Sequence, residues 1–105
     1  MIIQSGGGTG RTFLGVNFVV LAHGTDSMLT KMLYKTGDKV PVHRHPNEQN
    51  GYVITGKYRL RFGEFDQVLV SGDSYCIPRN AEHGIDVIEP GEVLDCFTPP
   101  RQDYL

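Results

Sequence analysis

Short runs in which apolar and polar side chains alternate recur along the chain. They predict β-strands, because successive side chains of a strand point to opposite faces. The clearest run is Lys57 to Phe62, in which three apolar residues alternate with three basic ones. Gly63 and Glu64 then predict a two-residue hairpin turn into a strand from Phe65 to Val70, since glycine tolerates the positive φ of such turns.

Seven further runs complete the predicted set, and glycine and proline separate them as turn residues. These runs are Arg11–Val16, Asn17–Leu21, Met28–Lys35, Gly51–Thr55, Asp73–Ile77, Gly84–Ile88 and Glu92–Phe97. No window of a dozen residues shows the apolar period of about 3.6 residues that is typical of a helix. Eight or nine short strands at regular spacing predict an all-β fold, either a sandwich or a closed barrel.

Length and composition describe one ordinary globular domain, residues 1–105, with a small-molecule ligand as the expected partner. A net charge of −2 and the lack of a Lys/Arg cluster argue against nucleic acid. No segment reaches about 18 apolar residues and the start lacks a signal-peptide pattern, so no membrane contact and a cytoplasmic location are expected. Cys76 and Cys96 form no CxxC pair and are expected to be reduced. Residues 1–10 contain four glycines but lack the ending of a phosphate-binding loop, so a flexible terminus or strand lead-in is expected.

Three of the four histidines have a spacing that suits a metal site. His43 and His45 are two residues apart, and on a strand such residues present their rings on one face. Gln49 follows after a short turn and offers a carbonyl oxygen, while His83 must come from a different strand. The alternative is that these are scattered polar residues on a solvated face, since polar positions with a period of two are common.

The last predicted strand and the tail contain a second set of candidate residues. Asp95 and Phe97 lie two apart on one face, and a buried aspartate within an apolar strand needs a partner. A structural salt bridge and a functional role both remain open for Asp95. Arg101 has a planar fork that matches a carboxylate, although it could instead lie in solvent near Asp103. Tyr104 is the aromatic residue available to dock the tail.

Two blocks of sequence resemble the two signature motifs of the cupin family. The first block spans 37–56 and has Gly37, the HRH triplet and Gly56 at the expected spacing, but Gln49 replaces the usual glutamate. The second spans 72–83 and keeps Gly72, Pro78 and His83 while departing from the motif at Asn80 and Val87. The resemblance implies a small single-domain β-barrel of jelly-roll topology that holds a divalent metal.

A narrower resemblance is to the KdgF-type cupins of pectin and alginate breakdown. It rests on the segments HPNEQNGYVITG, GDSYCIPRNAEHG and VLDCFTPPRQDYL. It implies an enzyme that converts a 4,5-unsaturated uronate, a sugar acid, to its linear keto form. A homodimer is expected, because small cupins often pair as dimers. The resemblance also implies roles for seven residues: His43, His45, Gln49 and His83 as metal ligands, Asp95 as acid/base, Arg101 as carboxylate clamp and Phe97 as a wall of the sugar site.

The ligand set does not select one metal, because three imidazoles and an amide oxygen suit Ni, Fe, Zn, Mn or Cu. Two other functions remain open for such a cupin. One is a non-catalytic protein that binds a sugar or an anion, with the metal as a structural element. The other is an Fe(II) dioxygenase, against which the missing carboxylate ligand at Gln49 counts.

Overall fold

A computed structural model describes all residues, 1–105, and consists of ten β-strands followed by one short 3₁₀ helix. The strands are β1 (Thr9–Phe13), β2 (Val16–His23), β3 (Met28–Tyr34), β4 (Lys39–His43), β5 (Glu48–Val53), β6 (Lys57–Phe62), β7 (Phe65–Leu69), β8 (Ser74–Ile77), β9 (His83–Glu89) and β10 (Gly91–Thr98). The 3₁₀ helix is Gln102–Tyr104. None of the helical structure is long and apolar enough to cross a membrane.

The strands form two antiparallel sheets. The large sheet has the order β1-β2-β3-β10-β5-β8, and the small sheet has the order β4-β9-β6-β7. Strands distant in sequence are therefore neighbours, as when β10 lies between β3 and β5. This arrangement is a jelly-roll sandwich and confirms the predicted all-β class.

Inward-facing side chains of the two sheets form a core of 16 buried apolar residues. Burial alternates along β2, where Val16, Phe18 and Val20 are buried, and along β10, where Val93 and Phe97 are buried. Burying side chains of this size contributes about 1.5–3 kcal/mol each. The position between Val93 and Phe97 on the same inward face belongs to an aspartate, which marks this part of the core as polar.

The predicted strands agree with the structure where one face is apolar. Strand β6 has the predicted bounds, and the Gly63–Glu64 turn is confirmed by the pairing of Phe62 with Phe65 and by a φ of +53° at Gly63. The predicted boundary between the first two strands was wrong, because Leu14 and Gly15, both at positive φ, form a turn before β2.

Strand β4 was not predicted at all, because Val40 is its one buried residue and Pro41 interrupts the pattern. Strand β1 begins at Thr9, within the glycine-rich start of the chain. Both cysteines are free, as predicted.

Candidate metal centre and adjoining cavity

Three imidazoles from three chain segments meet at one point. His43 ends β4 and His83 begins β9, and the two lie directly opposite one another in the small sheet. His45 lies in the loop beyond β4 rather than on the strand. The two-residue repeat of a strand is therefore not what brings the rings of His43 and His45 together. The ring centroids are 4.3 to 5.6 Å apart, and one ligand nitrogen from each ring lies within 4.8 Å of the others.

Each of these histidines has its Nδ1 against a backbone carbonyl oxygen. The pairs are His43 with Pro41 at 3.0 Å, His45 with Asn47 at 3.0 Å and His83 with Ala81 at 2.8 Å. A carbonyl oxygen only accepts hydrogen bonds, so Nδ1 carries the proton in each ring. The lone pair is then on Nε2, which is the arrangement found in metal-binding histidines.

The Nε2 atom of His83 is the one buried side-chain nitrogen or oxygen in the chain without a hydrogen-bond partner. Burial lowers the pKa of His83 to about 4, so the ring is neutral near pH 7 and its lone pair is available. Burial also lowers the pKa values of His43 and His45. An unpaired buried acceptor costs about 1–3 kcal/mol, and a bound cation would remove that cost.

Gln49 is buried on β5, and its Oε1 lies 3.0 Å from Nε2 of His45. With Nδ1 of His45 protonated, these two atoms are both acceptors, an arrangement that a cation between them would stabilise. The amide nitrogen of Gln49 then faces Asp95, where its hydrogen bond lowers the pKa of the carboxyl. Three imidazole nitrogens and one amide oxygen therefore fit a divalent transition metal.

A mostly apolar cavity adjoins these ligands, and its space is about 420 Å³ when the open mouth is included. Five of its lining residues are polar and are predicted site residues: His43, Gln49, His83, Asp95 and Arg101. Phe97 also lines it, and Phe97 packs edge-on against His45 with centroids 5.5 Å apart. The structure thus brings all seven predicted site residues to one region.

Comparison with known proteins identifies the family. Residues 30–97 match the cupin domain family. This chain belongs to the cupin family. The match contains all four candidate metal ligands, together with Asp95 and Phe97, and ends before Arg101.

Three known proteins are similar to this chain over most of its length. The cupin is 29% identical over 93 residues to the pectin degradation protein KdgF of Dickeya dadantii, covering 87% of this chain and 84% of the relative. The structure of KdgF from Halomonas sp. has a TM-score of 0.90 and 26% identity, and each chain is covered completely. An RmlC-like cupin from Shewanella frigidimarina has a TM-score of 0.91 and 25% identity, covering 99% of this chain and 95% of that one.

Asp95 of this cupin is only 2% exposed. Burial raises the pKa of its carboxyl to about 6, although hydrogen bonds from Tyr75 and Gln49 and the charge of Arg101 act in the opposite direction. The hydroxyl of Tyr75 donates to Oδ1 of Asp95 at 2.7 Å. This contact of Tyr75 was not predicted, because it depends on strand pairing that a sequence pattern does not specify.

Arg101 is 6% exposed and lines the cavity, so the solvent-exposed alternative is wrong. Its guanidinium carbon lies 4.1 Å from the ring centroid of Tyr104 and 4.9 Å from that of Phe13. Its Nε and Nη2 donate to the two carboxylate oxygens of Asp103 at 3.2 and 2.7 Å. The fork of Arg101 is therefore already paired within the chain.

The tail and the histidine loop are joined by Asn47, which lies in the short turn before Gln49. Asn47 is buried, accepts from the His45 ring through its backbone oxygen and donates through Nδ2 to the backbone oxygen of Pro99 at 2.7 Å. Tyr104 is also buried, against Phe18 and Phe97. These contacts hold the C-terminal residues at the cavity.

Proposed function

We propose that this cupin is a metal-dependent enzyme that opens the ring of a small 4,5-unsaturated uronate and converts it to the linear keto form. The observation that carries the proposal is the buried carboxyl of Asp95 in the same cavity as His43, His83 and Gln49. The relationship to a pectin degradation protein supports the substrate class, because lyase cleavage of pectin releases unsaturated uronates.

The proposed reaction is an isomerisation and needs no second substrate. The bond between C1 and the ring oxygen breaks, and the C1 hydroxyl becomes an aldehyde after losing its proton. The ring oxygen remains on C5 as an enolate, and a proton added at C4 converts the enolate to the ketone. One proton therefore leaves an oxygen and one arrives at a carbon, so a group that both accepts and donates protons is required.

Asp95 is the group proposed for this proton transfer. With a pKa of about 6, its carboxyl interconverts between acid and base near neutral pH, which suits a residue that must do both. Tyr75 holds Oδ1, and this fixes the orientation of the carboxyl toward the cavity. A divalent ion bound by His43, His45, Gln49 and His83 would act as a Lewis acid toward a substrate oxygen.

Arg101 is the group proposed to bind the uronate carboxylate, because it is the cationic side chain that lines the cavity. A guanidinium matches a carboxylate with two parallel hydrogen bonds. Phe97, buried and fixed against His45 and Tyr104, forms an apolar wall for the sugar ring. Exclusion of water by this wall would strengthen the polar contacts within the cavity.

The proposal is tested by following the ultraviolet absorbance of a 4,5-unsaturated uronate with four proteins: metal-loaded wild type, chelator-treated wild type, Asp95→Asn and Glu89→Gln. Glu89 is exposed at the opposite end of β9 from His83 and serves as the charge-matched control. We expect loss of absorbance with the loaded wild type and the control only. Equal rates in all four proteins would refute the proposal.

The same measurements separate the other two functions. Binding of a uronate without any product would favour an anion-binding cupin. Oxygen uptake that depends on Fe(II) would favour a dioxygenase.

A further inference from the structure

Asp103 occupies the Nε–Nη2 edge of Arg101, which is one of the two edges with which a guanidinium can bind a carboxylate. Both carboxylate oxygens of Asp103 accept from the guanidinium, at 3.2 and 2.7 Å. This is the two-to-two arrangement that recognises an external carboxylate. Burial acts to raise the pKa of Asp103, but the hydrogen bond and charge of Arg101 outweigh it and lower that pKa, so Asp103 is anionic.

The two partners of this ion pair differ in how freely they can move. Arg101 is held by Tyr104, whose hydroxyl accepts from Nη1 at 2.9 Å, and by the rings of Phe13 and Phe97. Its backbone nitrogen also donates to the sulfur of Met28 at 3.2 Å. The side chain of Asp103, in contrast, is 57% exposed.

The backbone around Asp103 is fixed, so its side chain can leave without unfolding the tail. Tyr104 is buried, and its backbone oxygen accepts from Nε of Arg11 at 3.2 Å. Asp103 does not line the cavity, although Arg101 does. A rotation of the Asp103 side chain into solvent would therefore uncover the guanidinium without moving any cavity wall.

We propose that Asp103 is a resident counter-anion that an incoming ligand carboxylate replaces on Arg101, and that it thereby determines specificity for anionic ligands. A buried guanidinium without an anion is costly, so the exchange is favourable only when another anion arrives. A neutral sugar offers no replacement and must leave the Arg101–Asp103 pair intact. The inference rests on the proposed uronate site but not on turnover.

The test is calorimetric titration with sodium D-glucuronate, which lacks the 4,5 double bond and cannot undergo the proposed ketonisation, and with neutral D-glucose. Ionic strength is held constant, and the proteins are wild type, Asp103→Asn, Asp103→Glu and Glu89→Gln. Removing the resident anion should lower the Kd for glucuronate roughly fivefold or more in Asp103→Asn. Asp103→Glu, which keeps a carboxylate, and Glu89→Gln should stay near wild type, and glucose binding should be unchanged in all four.

Any other pattern of dissociation constants overturns the proposal. A higher Kd in Asp103→Asn would mean that Asp103 only positions Arg101, and an unchanged Kd would mean that the pair does not compete with ligand. Absence of glucuronate binding in every protein would show that Arg101 does not form an anion-binding site. If Asp103→Asn binds more tightly but no variant turns over an unsaturated uronate, the proposed reaction fails and this inference stands.

Discussion

The hydroxyl of Tyr75 reaches Oδ1 of Asp95 across an intervening strand, with an oxygen–oxygen distance of 2.7 Å. Tyr75 lies on β8 and Asp95 on β10, and β5 separates them in the large sheet. The residue of β5 opposite both is Gly51. A Cβ atom at Gly51 would overlap the Tyr75 ring, so the missing side chain is what opens the path between the two polar groups.

Gly51→Ala should therefore displace Tyr75. We expect a loss of about 1–3 kcal/mol in the free energy of unfolding, as for other overpacked sites, together with lower turnover. Gly10→Ala is the matched control, because a Cβ there meets nothing within 4 Å. Urea unfolding measures both, and adding Tyr75→Ala to Gly51→Ala should recover part of the stability but not the turnover. Equal stability of the two glycine variants would contradict the expected overlap.

Asp95→Asn should change how stability depends on pH. The folded protein raises the pKa of Asp95 from 3.8 to about 6, so the protonated carboxyl contributes stability that is complete below about pH 4. That contribution is lost as the pH rises through about 6. Because asparagine does not ionise, the variant should gain stability relative to wild type from pH 4 to pH 8, by on the order of 2–3 kcal/mol.

The comparison is made by urea unfolding of chelator-treated protein, since a bound cation would itself lower the pKa of Asp95. Glu89→Gln controls for the loss of one carboxylate. A difference between Asp95→Asn and wild type that stays constant from pH 4 to pH 8 would show that the carboxyl is not responsible.

Addition of Ni²⁺ or Mn²⁺ should raise the Tm of the metal-free protein. At 100 times the Kd, a ligand that binds only the folded state adds about 2.7 kcal/mol, which corresponds to roughly 10 °C or more for a domain of this size. His83→Gln should lose most of this shift because it removes one of three converging nitrogens. His23→Gln is the control, since His23 lies outside the group, and an equal shift in both variants would place the ion elsewhere.

Gln49→Glu should keep the metal but reduce turnover at least tenfold. Glutamate retains an oxygen beside His45, yet it cannot donate a hydrogen bond to Asp95 as the Gln49 amide does. It also adds a negative charge next to a buried carboxyl, which disfavours the ionised form of Asp95. Metal content by elemental analysis and the rate of uronate consumption check the two halves of this prediction. Full turnover with full metal content would mean that Gln49 serves only as an oxygen ligand, which glutamate can replace.

The alternation of apolar and polar residues predicted the strands whose inward positions are apolar, such as β6. It failed at the start of β5, where burial does alternate but the inward positions are Gln49 and Gly51. Neither residue is one of the large apolar side chains by which an alternating strand is recognised, so β5 was predicted to begin only at Gly51.

The candidate ligands were predictable from their residue types and from the cupin motifs, although the strand repeat expected for His43 and His45 does not hold, because His45 lies in a loop. The contacts that orient the site residues were not predictable. The pairing of Arg101 with Asp103 and the reach of Tyr75 over Gly51 depend on the register of strands and on the fold of the tail, which local sequence leaves undetermined.

The site is divided between the two sheets. His43 and His83 belong to the small sheet, whereas Gln49 and Asp95 belong to the large one. The distance from imidazole to carboxyl is therefore set by the separation of the sheets, and apolar side chains fill that separation. A core substitution that moved the sheets apart by a fraction of an ångström would misplace the acid/base without touching it, so attempts to stabilise this core should be screened for activity as well as for Tm.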